Sequence, residues 1–237
     1  MTALDGQTVV VLGGSAGIGL ETARAARTAG ARVIVNGRDP ERLARAAEEI
    51  GAAGSAAFDA TDPDRIAELL AGLPEPADHL LASGSGPYYS PLSEMDFAAV
   101  QRDLDQHLLL PLHLGQLAPG RVRGSLTFIG GTGGRHRGVG LALIGALTAA
   151  MPAIVENMAV ELAPLRVNLV APGFVDTALS ARLLGDQLEA RRAELAKTLP
   201  IRRVVGPQDV AAGVVHLMVN TALTGVTLDV DGGQKLV

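Results

Sequence analysis

The chain contains no cysteine in 237 residues. That excludes disulfides and thiolate metal sites, and nothing in the composition calls for an oxidising compartment. It also lacks an HExxH motif, a carboxylate cluster of metal-ligand spacing and a nucleophile elbow, so neither zinc-hydrolase nor serine-hydrolase chemistry has a foothold. Charge of one sign is concentrated nowhere. The net charge is −5, with acidic and basic residues interspersed, which favours neither nucleic acid nor a membrane surface as a partner. No Pro/Ser-rich linker and no internal repeat divides the chain. Residues 1–237 are expected to form one domain with a large core. The N-terminus, MTALDGQTVVVLGG, carries no basic segment before its apolar run. It does not read as a signal peptide, and the expected location is cytoplasmic.

Residues 138–155 carry no charge over eighteen positions, the length of a transmembrane candidate. They lie between two strand-like runs and include Gly140, Gly145 and Pro152. The expectation is a helix buried on several sides, with small residues packing closely, a subunit interface included. Pro152 lacks an N–H and clashes with the carbonyl of Thr148, so a kink is expected there.

What is present is a regular alternation of strand-like and helix-like runs. Strands are expected near 7–12, 32–36, 55–58, 78–82, 124–129, 165–170 and 226–230. Helices are expected near 17–29, 40–50, 62–71, 94–115, 140–163, 178–197 and 207–219. The strands are short and apolar with little alternation, as in a parallel sheet covered on both faces. Asp39-Pro40 and Asp62-Pro63 each pair a capping residue with proline at the first helical position, and Gly206-Pro207 opens the last helix similarly. The fold class is therefore α/β: a single doubly wound Rossmann-type domain with a seven-stranded, mainly parallel sheet and helices on both faces. Its ligand belongs beyond the carboxyl ends of the strands, near the switch point.

The most informative segment is Leu12-Gly13-Gly14-Ser15-Ala16-Gly17-Ile18-Gly19, between an apolar run and a helix-like run. Gly13 permits a tight turn, Gly17 lets backbone approach a pyrophosphate, and Gly19 lets helix and strand pack closely. The helix start adds free N–H donors and the positive end of its dipole. The spacing is G-x-x-x-G-x-G, and in a chain of this length it resembles the short-chain dehydrogenase/reductase family. Further blocks carry the resemblance along nearly the whole chain: Asp59-Ala60; Ser83-Gly84-Ser85, where the family has Asn-Ala-Gly; His107 to Leu112; Glu161 to Asn168; Ala171 to Thr177; and Asp229 to Gly233. The resemblance implies that Asp59 and Ala60 contact adenine, that Ser83, Gly84, Pro172 and Gly173 border the cofactor, and that Val175 and Thr177 hold the nicotinamide end. Asp176-Thr177 also reads as a helix cap. The resemblance further implies a homodimer or homotetramer.

The second strand ends Val35-Asn36-Gly37-Arg38. An NAD site usually places Asp or Glu here to accept from the ribose hydroxyls. A guanidinium pairs instead with a 2′-phosphate and stacks on adenine. Asn36 and Arg38, with Ser15 as a second phosphate contact, favour NADP(H) as cofactor. The plain alternative is a solvated charge at a helix start.

The family's usual chemistry needs a Tyr with a Lys four residues on, a Ser about thirteen residues before the Tyr, and an Asn. Counting back from Glu161 and forward from the strand ending at Gly130 places the Tyr, Lys and Ser positions at Ile144, Thr148 and Gly131, and the resemblance of the His107 to Leu112 block implies His107 at the Asn position. None matches. The chain has two tyrosines, Tyr88 and Tyr89, and two lysines, Lys197 and Lys235, so no Tyr-x-x-x-Lys exists in any alignment. Replacement candidates are His107, Thr132, Thr148 and His136. An imidazole suits proton relay, although a lone His on an apolar helix also simply bonds a backbone carbonyl. Thr148 either meets substrate or bonds back along its helix. Arg135-His136-Arg137 either holds an anionic substrate, supplies a proton or forms a solvated basic loop. Tyr88 and Tyr89 line the cleft or cover it. The expected function is an NADP(H)-dependent oxidoreductase acting on a small molecule with a non-standard proton donor. The alternatives are a catalytically inactive NADP(H) sensor or scaffold, and a cyclase or lyase using the same cleft without redox chemistry.

Overall fold

The computed structural model describes residues 3–84 and 86–237. Its strands are β1 (Thr8–Leu12), β2 (Arg32–Gly37), β3 (Gly54–Ala57), β4 (Ala77–Ala82), β5 (Val122–Ile129), β6 (Arg166–Pro172) and β7 (Thr227–Val230). They form a single sheet in the order β3-β2-β1-β4-β5-β6-β7. Every neighbouring pair is parallel. The chain winds outward from β1 to β3, then returns to the other side of β1 at β4. The switch point therefore lies between β1 and β4, where the glycine turn leaves β1.

Helices cover both faces, and the strand residues sort by parity as a pleated sheet requires. On one side Val10, Leu12, Leu80, Leu126, Phe128, Val167 and Leu169 pack against α3 (Pro63–Ala71), α5 (Leu110–Leu117) and α6 (Ala142–Glu161). On the other side Val9, Val11, Val33, Val35, Leu81 and Val170 meet α1 (Gly17–Thr28), α2 (Pro40–Ile50) and α9 (Pro207–Val219). The two Asp-Pro starts behave as expected. Asp39 accepts from the N–H groups of Glu41 and Arg42, and Asp62 from those of Asp64 and Arg65.

Three helical expectations need correction. The single helix expected at 94–115 is α4 (Phe97–Leu104), a π-turn at Asp105–Leu109, and α5. Pro111 offers no N–H to the carbonyl four residues back, and the Leu110 N–H reaches Asp105 O, five back. The helix expected at 178–197 is interrupted at Gly185, whose φ is +50°, giving α7 (Ala178–Leu184) and α8 (Leu188–Thr198). The third correction concerns α6. It is long and apolar enough to cross a membrane by length and composition. Yet Ile144, Leu147, Met151, Val155 and Met158 lie buried along one stripe, the last three in the core against the sheet. The expected burial on several sides does not occur within this chain: Ala142, Ala146, Ala149, Ala153 and Val160 are exposed on the opposite stripe. Pro152 sits inside α6 without ending it.

A polar strip lies beneath the β4–β6 end of the sheet. His79 bonds Gln7 Oε1 at 2.7 Å through Nε2 and Ser125 Oγ at 2.8 Å through Nδ1. Because Gln7 Oε1 only accepts, Nε2 carries the proton and Ser125 donates to Nδ1. Arg166 donates to the carbonyls of Leu217 and Met218 at 2.6 and 2.8 Å, closing the C-terminal end of α9. Asn168 clamps the following loop through Leu223 O and the Val226 N–H. The block Glu161 to Asn168 thus does structural work.

Candidate functional site

Beyond the carboxyl ends of β1, β2, β4, β5 and β6 the loops converge. The glycine turn is built by close approaches. Gly13 has φ +78°, and a Cβ there would lie 2.0 Å from Ser83 O. The turn is thus pressed onto the end of β4 at the switch point. A Cβ on Gly19 would lie 2.2 Å from Gly13 O, so only glycine lets α1 start this near the strand. Gly17 differs. Its φ is +55°, and the nearest atoms to a Cβ would be Thr177 Cγ2 and Cβ, at 3.7 and 3.9 Å. A Cβ on Gly17 would thus touch Thr177 at ordinary contact distance without a clash.

Helix α1 starts without a side-chain cap, since Ala16 is extended and makes no capping bond. The N–H donors of Gly17, Ile18 and Gly19 therefore point out of the helix start, while the Ile18 side chain packs on the core. Asn36 supports the turn from behind. It is buried, accepts from the Gly13 N–H, and donates to Ala56 O and Phe58 O at 3.1 and 3.0 Å. Its side chain is committed to these bonds, so its part in a cofactor site is indirect.

Arg38 lies exposed just past β2, with no hydrogen bond or ion pair among the described residues. A Cβ on the preceding Gly37 would lie 2.7 Å from Ser15 Oγ, so Ser15 and Arg38 border one corner. The donors and the free cation fit a dinucleotide carrying an extra phosphate: open N–H groups for a pyrophosphate, a guanidinium and a hydroxyl for the 2′-phosphate. Asp59 turns its carboxylate to the N–H and hydroxyl of Thr61, shaping the turn that also holds Ala60. Ser85 lies outside the described residues.

On the β6 side, Pro172 O accepts from the Thr132 N–H at 3.0 Å. Gly173 packs where a Cβ would lie 2.5 Å from Gln234 Oε1. Val175 pairs with Val205 in an isolated bridge. Thr177 caps α7 in a reciprocal box with Ser180. The capping role of Thr177 is thus present, on the rim opposite Gly17.

The positions counted as equivalent to the missing catalytic set do come together. A Cβ on Gly131 would lie 3.5 Å from Thr148 Cγ2. His107 and Thr148 both line a small cavity of about 20 Å³ with Gln106, Gly84, Gly130 and Leu147. Ile144 is buried one turn before Thr148, and its carbonyl accepts from the Thr148 hydroxyl at 2.7 Å. Thr148 therefore bonds back along its helix. His107 Nδ1 lies 3.1 Å from Asp103 O, so it too bonds a backbone carbonyl.

Thr132 is buried under Pro172. His136 Nε2 is buried with no partner among the described residues. Arg135 needs correction as an anion-holding residue. It grips Asp229 at 2.5 and 2.7 Å, beside Lys235. Burial alone would raise the Asp229 carboxyl, but the two cations hold it below its ordinary value. Tyr88 accepts from the Asp96 N–H through its hydroxyl, while Tyr89 is half exposed.

Asp103 is the residue that sequence reasoning missed. It is buried at 4% exposure, with Oδ1 3.5 Å from His107 Nδ1 and Oδ2 accepting from the Tyr88 N–H at 3.1 Å. The Asp-x-x-x-His spacing on a helical stretch was the available signal, since it stacks the two side chains one turn apart.

Comparison with known proteins agrees with this geometry. The enoyl-(acyl carrier protein) reductase family pattern matches residues 13–235. The chain is 30% identical to the short-chain dehydrogenase/reductase ATR9 of Stachybotrys chlorohalonatus, over the full length of both. Among solved structures it resembles the MalC reductase/Diels-Alderase of Malbranchea aurantiaca, with a TM-score of 0.92, 25% identity and coverage of 100% of this chain and 99% of that one. It also resembles a Beutenbergia cavernae protein provisionally described as an NAD(P)-dependent gluconate 5-dehydrogenase, with NADP bound at low occupancy, with a TM-score of 0.88, 27% identity and coverage of 99% and 98%. The chain belongs to the short-chain dehydrogenase/reductase family.

Proposed function

We propose that the protein is an NADP(H)-dependent oxidoreductase that interconverts a small carbonyl or imine compound and its reduced form, without a Tyr/Lys pair. The observation that carries the cofactor choice is Arg38, exposed at the end of β2, unpaired among the described residues and sharing a corner with Ser15. The N–H groups of Gly17, Ile18 and Gly19 would hold the pyrophosphate. Asp59 and Ala60 would border the adenine. Ser83, Gly84, Pro172, Gly173, Val175 and Thr177 would frame the nicotinamide half. NADP(H), when bound, supplies or accepts a hydride. The chain's own contribution would be positioning of that group in the cleft, with a proton carrier among His107, Thr132 and His136, since the Thr148 hydroxyl proton is committed to Ile144 O. Loss of NADPH absorbance across a panel of ketones, aldehydes and imines tests this. Turnover of at least one class is expected, and bound but unreactive NADPH throughout the panel counts against it.

A second reading has its own support. The MalC structure, similar over the whole chain, is that of a reductase and Diels-Alderase. Cyclisation in the same cleft would need no tyrosine. Product formation with NADPH left unoxidised would select this reading. Binding with no turnover of either kind, together with a partner that responds to NADPH, would select a sensor. For assembly, we propose a homodimer or homotetramer in which the exposed alanine stripe of α6 packs against a second copy.

A further inference from the structure

The missing tyrosine and lysine leave a question of proton supply, and one cluster beside the cofactor cleft answers it. Asp103 and His107 lie one turn apart, where the π-turn at Asp105–Leu109 follows α4. The Asp103 carboxylate is almost wholly buried, which is costly unless it is bonded or paired. One oxygen takes the Tyr88 N–H at 3.1 Å, and the other lies 3.5 Å from His107 Nδ1. The same imidazole nitrogen is 3.1 Å from the Asp103 main-chain carbonyl. A carbonyl and a carboxylate oxygen only accept, so Nδ1 is the nitrogen that carries a proton in the neutral ring. Nε2 has no partner among the described residues. The ring lines a cavity of about 20 Å³ with Gly84, Gly130 and Thr148, at the carboxyl ends of β4 and β5. That volume suits about one water molecule.

We propose that Asp103 is a positioning residue that fixes His107 in the Nδ1–H form, leaving Nε2 to hand a proton to the reacting oxygen or nitrogen, directly or through one water in this cavity. The proposal rests on the NADP(H)-dependent reading above. In the reducing direction NADPH, held by the glycine turn and Arg38, would supply a hydride to the substrate carbon, and the electron pair of the double bond would move to oxygen or nitrogen. That atom then takes the proton from imidazolium Nε2, whose N–H bond breaks. The ring is left neutral, with its remaining proton on Nδ1 and held by Asp103, and it is recharged by a proton from solvent. The oxidising direction runs the same steps in reverse, with bare Nε2 as base. Thr148 has its hydroxyl proton committed to Ile144 O, so toward the cavity it can only accept.

The test is nitrogen NMR of histidine-labelled protein in the neutral-imidazole range, with His107→Gln identifying the His107 signals. The expected result is the Nδ1–H form of His107 in the parent protein and a smaller share of it in Asp103→Asn, where the main-chain carbonyl remains but the carboxylate charge is gone. On a substrate that the parent reduces, Asp103→Asn is expected to lower kcat roughly tenfold and His107→Gln roughly a hundredfold or more, with the KM for NADPH within about twofold in both. Unchanged NADPH affinity also shows that the variants fold. An Nε2–H ring in the parent, or parental kcat in either variant, overturns the proposal. If the parent reduces nothing, the functional reading fails by itself. The tautomer still decides the positioning claim, the Nδ1–H form supporting it and the Nε2–H form overturning it.

Discussion

Single side chains determine which nucleotide fits. Arg38 is exposed and unpaired among the described residues at the corner it shares with Ser15, so replacing it should act mainly on the 2′-phosphate. Arg38→Asp is expected to weaken NADPH roughly ten- to a hundredfold, the range of a charge-assisted hydrogen bond of about 1.5–3 kcal/mol. NADH affinity should change little. Equal affinity of the parent for both nucleotides, measured by calorimetry, would contradict the assignment. The glycines divide by the same logic. Gly13→Ala combines a positive φ with a Cβ 2.0 Å from Ser83 O, and should cost at least about 2 kcal/mol of stability. Gly17→Ala makes only ordinary contact with Thr177 and should cost about 1 kcal/mol through its positive φ, yet its methyl group would crowd the place proposed for the pyrophosphate. Thermal melts with and without NADPH separate the two: the first variant melts early in both, and the second loses its response to NADPH.

Elements carry the pH response and show where sequence reading stops. His79 on β4 is held near 4, below its ordinary 6.5, first by burial and then by the Arg166 charge. The folded state therefore favours the neutral ring, while the unfolded chain binds a proton at higher pH. Stability is fully present above about 6.5 and falls as pH drops toward about 4, by about 3 kcal/mol. Urea titrations from pH 7 to 4 should show that slope, and His79→Gln should flatten it. An unchanged slope in the variant would place the acid sensitivity elsewhere. The strands and most helix starts were legible because their signals are local: β-branched runs, Asp-Pro caps, a glycine turn. The π-turn was not, because it follows from one missing donor at Pro111 inside an otherwise regular helical pattern. Nor was the break at Gly185, since a glycine within a helical run marks a stop only when the chain must turn there. The commitment of Arg135 to Asp229 pairs residues far apart in sequence, and no spacing announces such a pair.

For the whole molecule, the exposed stripe of α6 and the open cleft make separate demands. Ala142, Ala146, Ala149 and Ala153 leave room for another helix to approach closely, and a charge among them would prevent it. If the proposed homo-oligomer forms, Ala149→Arg is expected to convert it to monomer by light scattering with the fold intact, whereas a parent that is already monomeric would remove the interface. The family's fold and cofactor turn were readable from Gly13, Gly17 and Gly19, and the absence of Tyr-x-x-x-Lys was readable by counting. The pairing of Asp103 with His107, and the cavity that His107 shares with Thr148, were not, because they form only when the π-turn and α6 come together at the end of β5. The decisive measurement is transfer of deuterium from NADPH labelled at the nicotinamide 4-position to a carbonyl or imine carbon. A hydride-transferring cleft predicts label in the product even in a single turnover. Bound NADPH that never yields its label, for any carbonyl or imine offered, would contradict it.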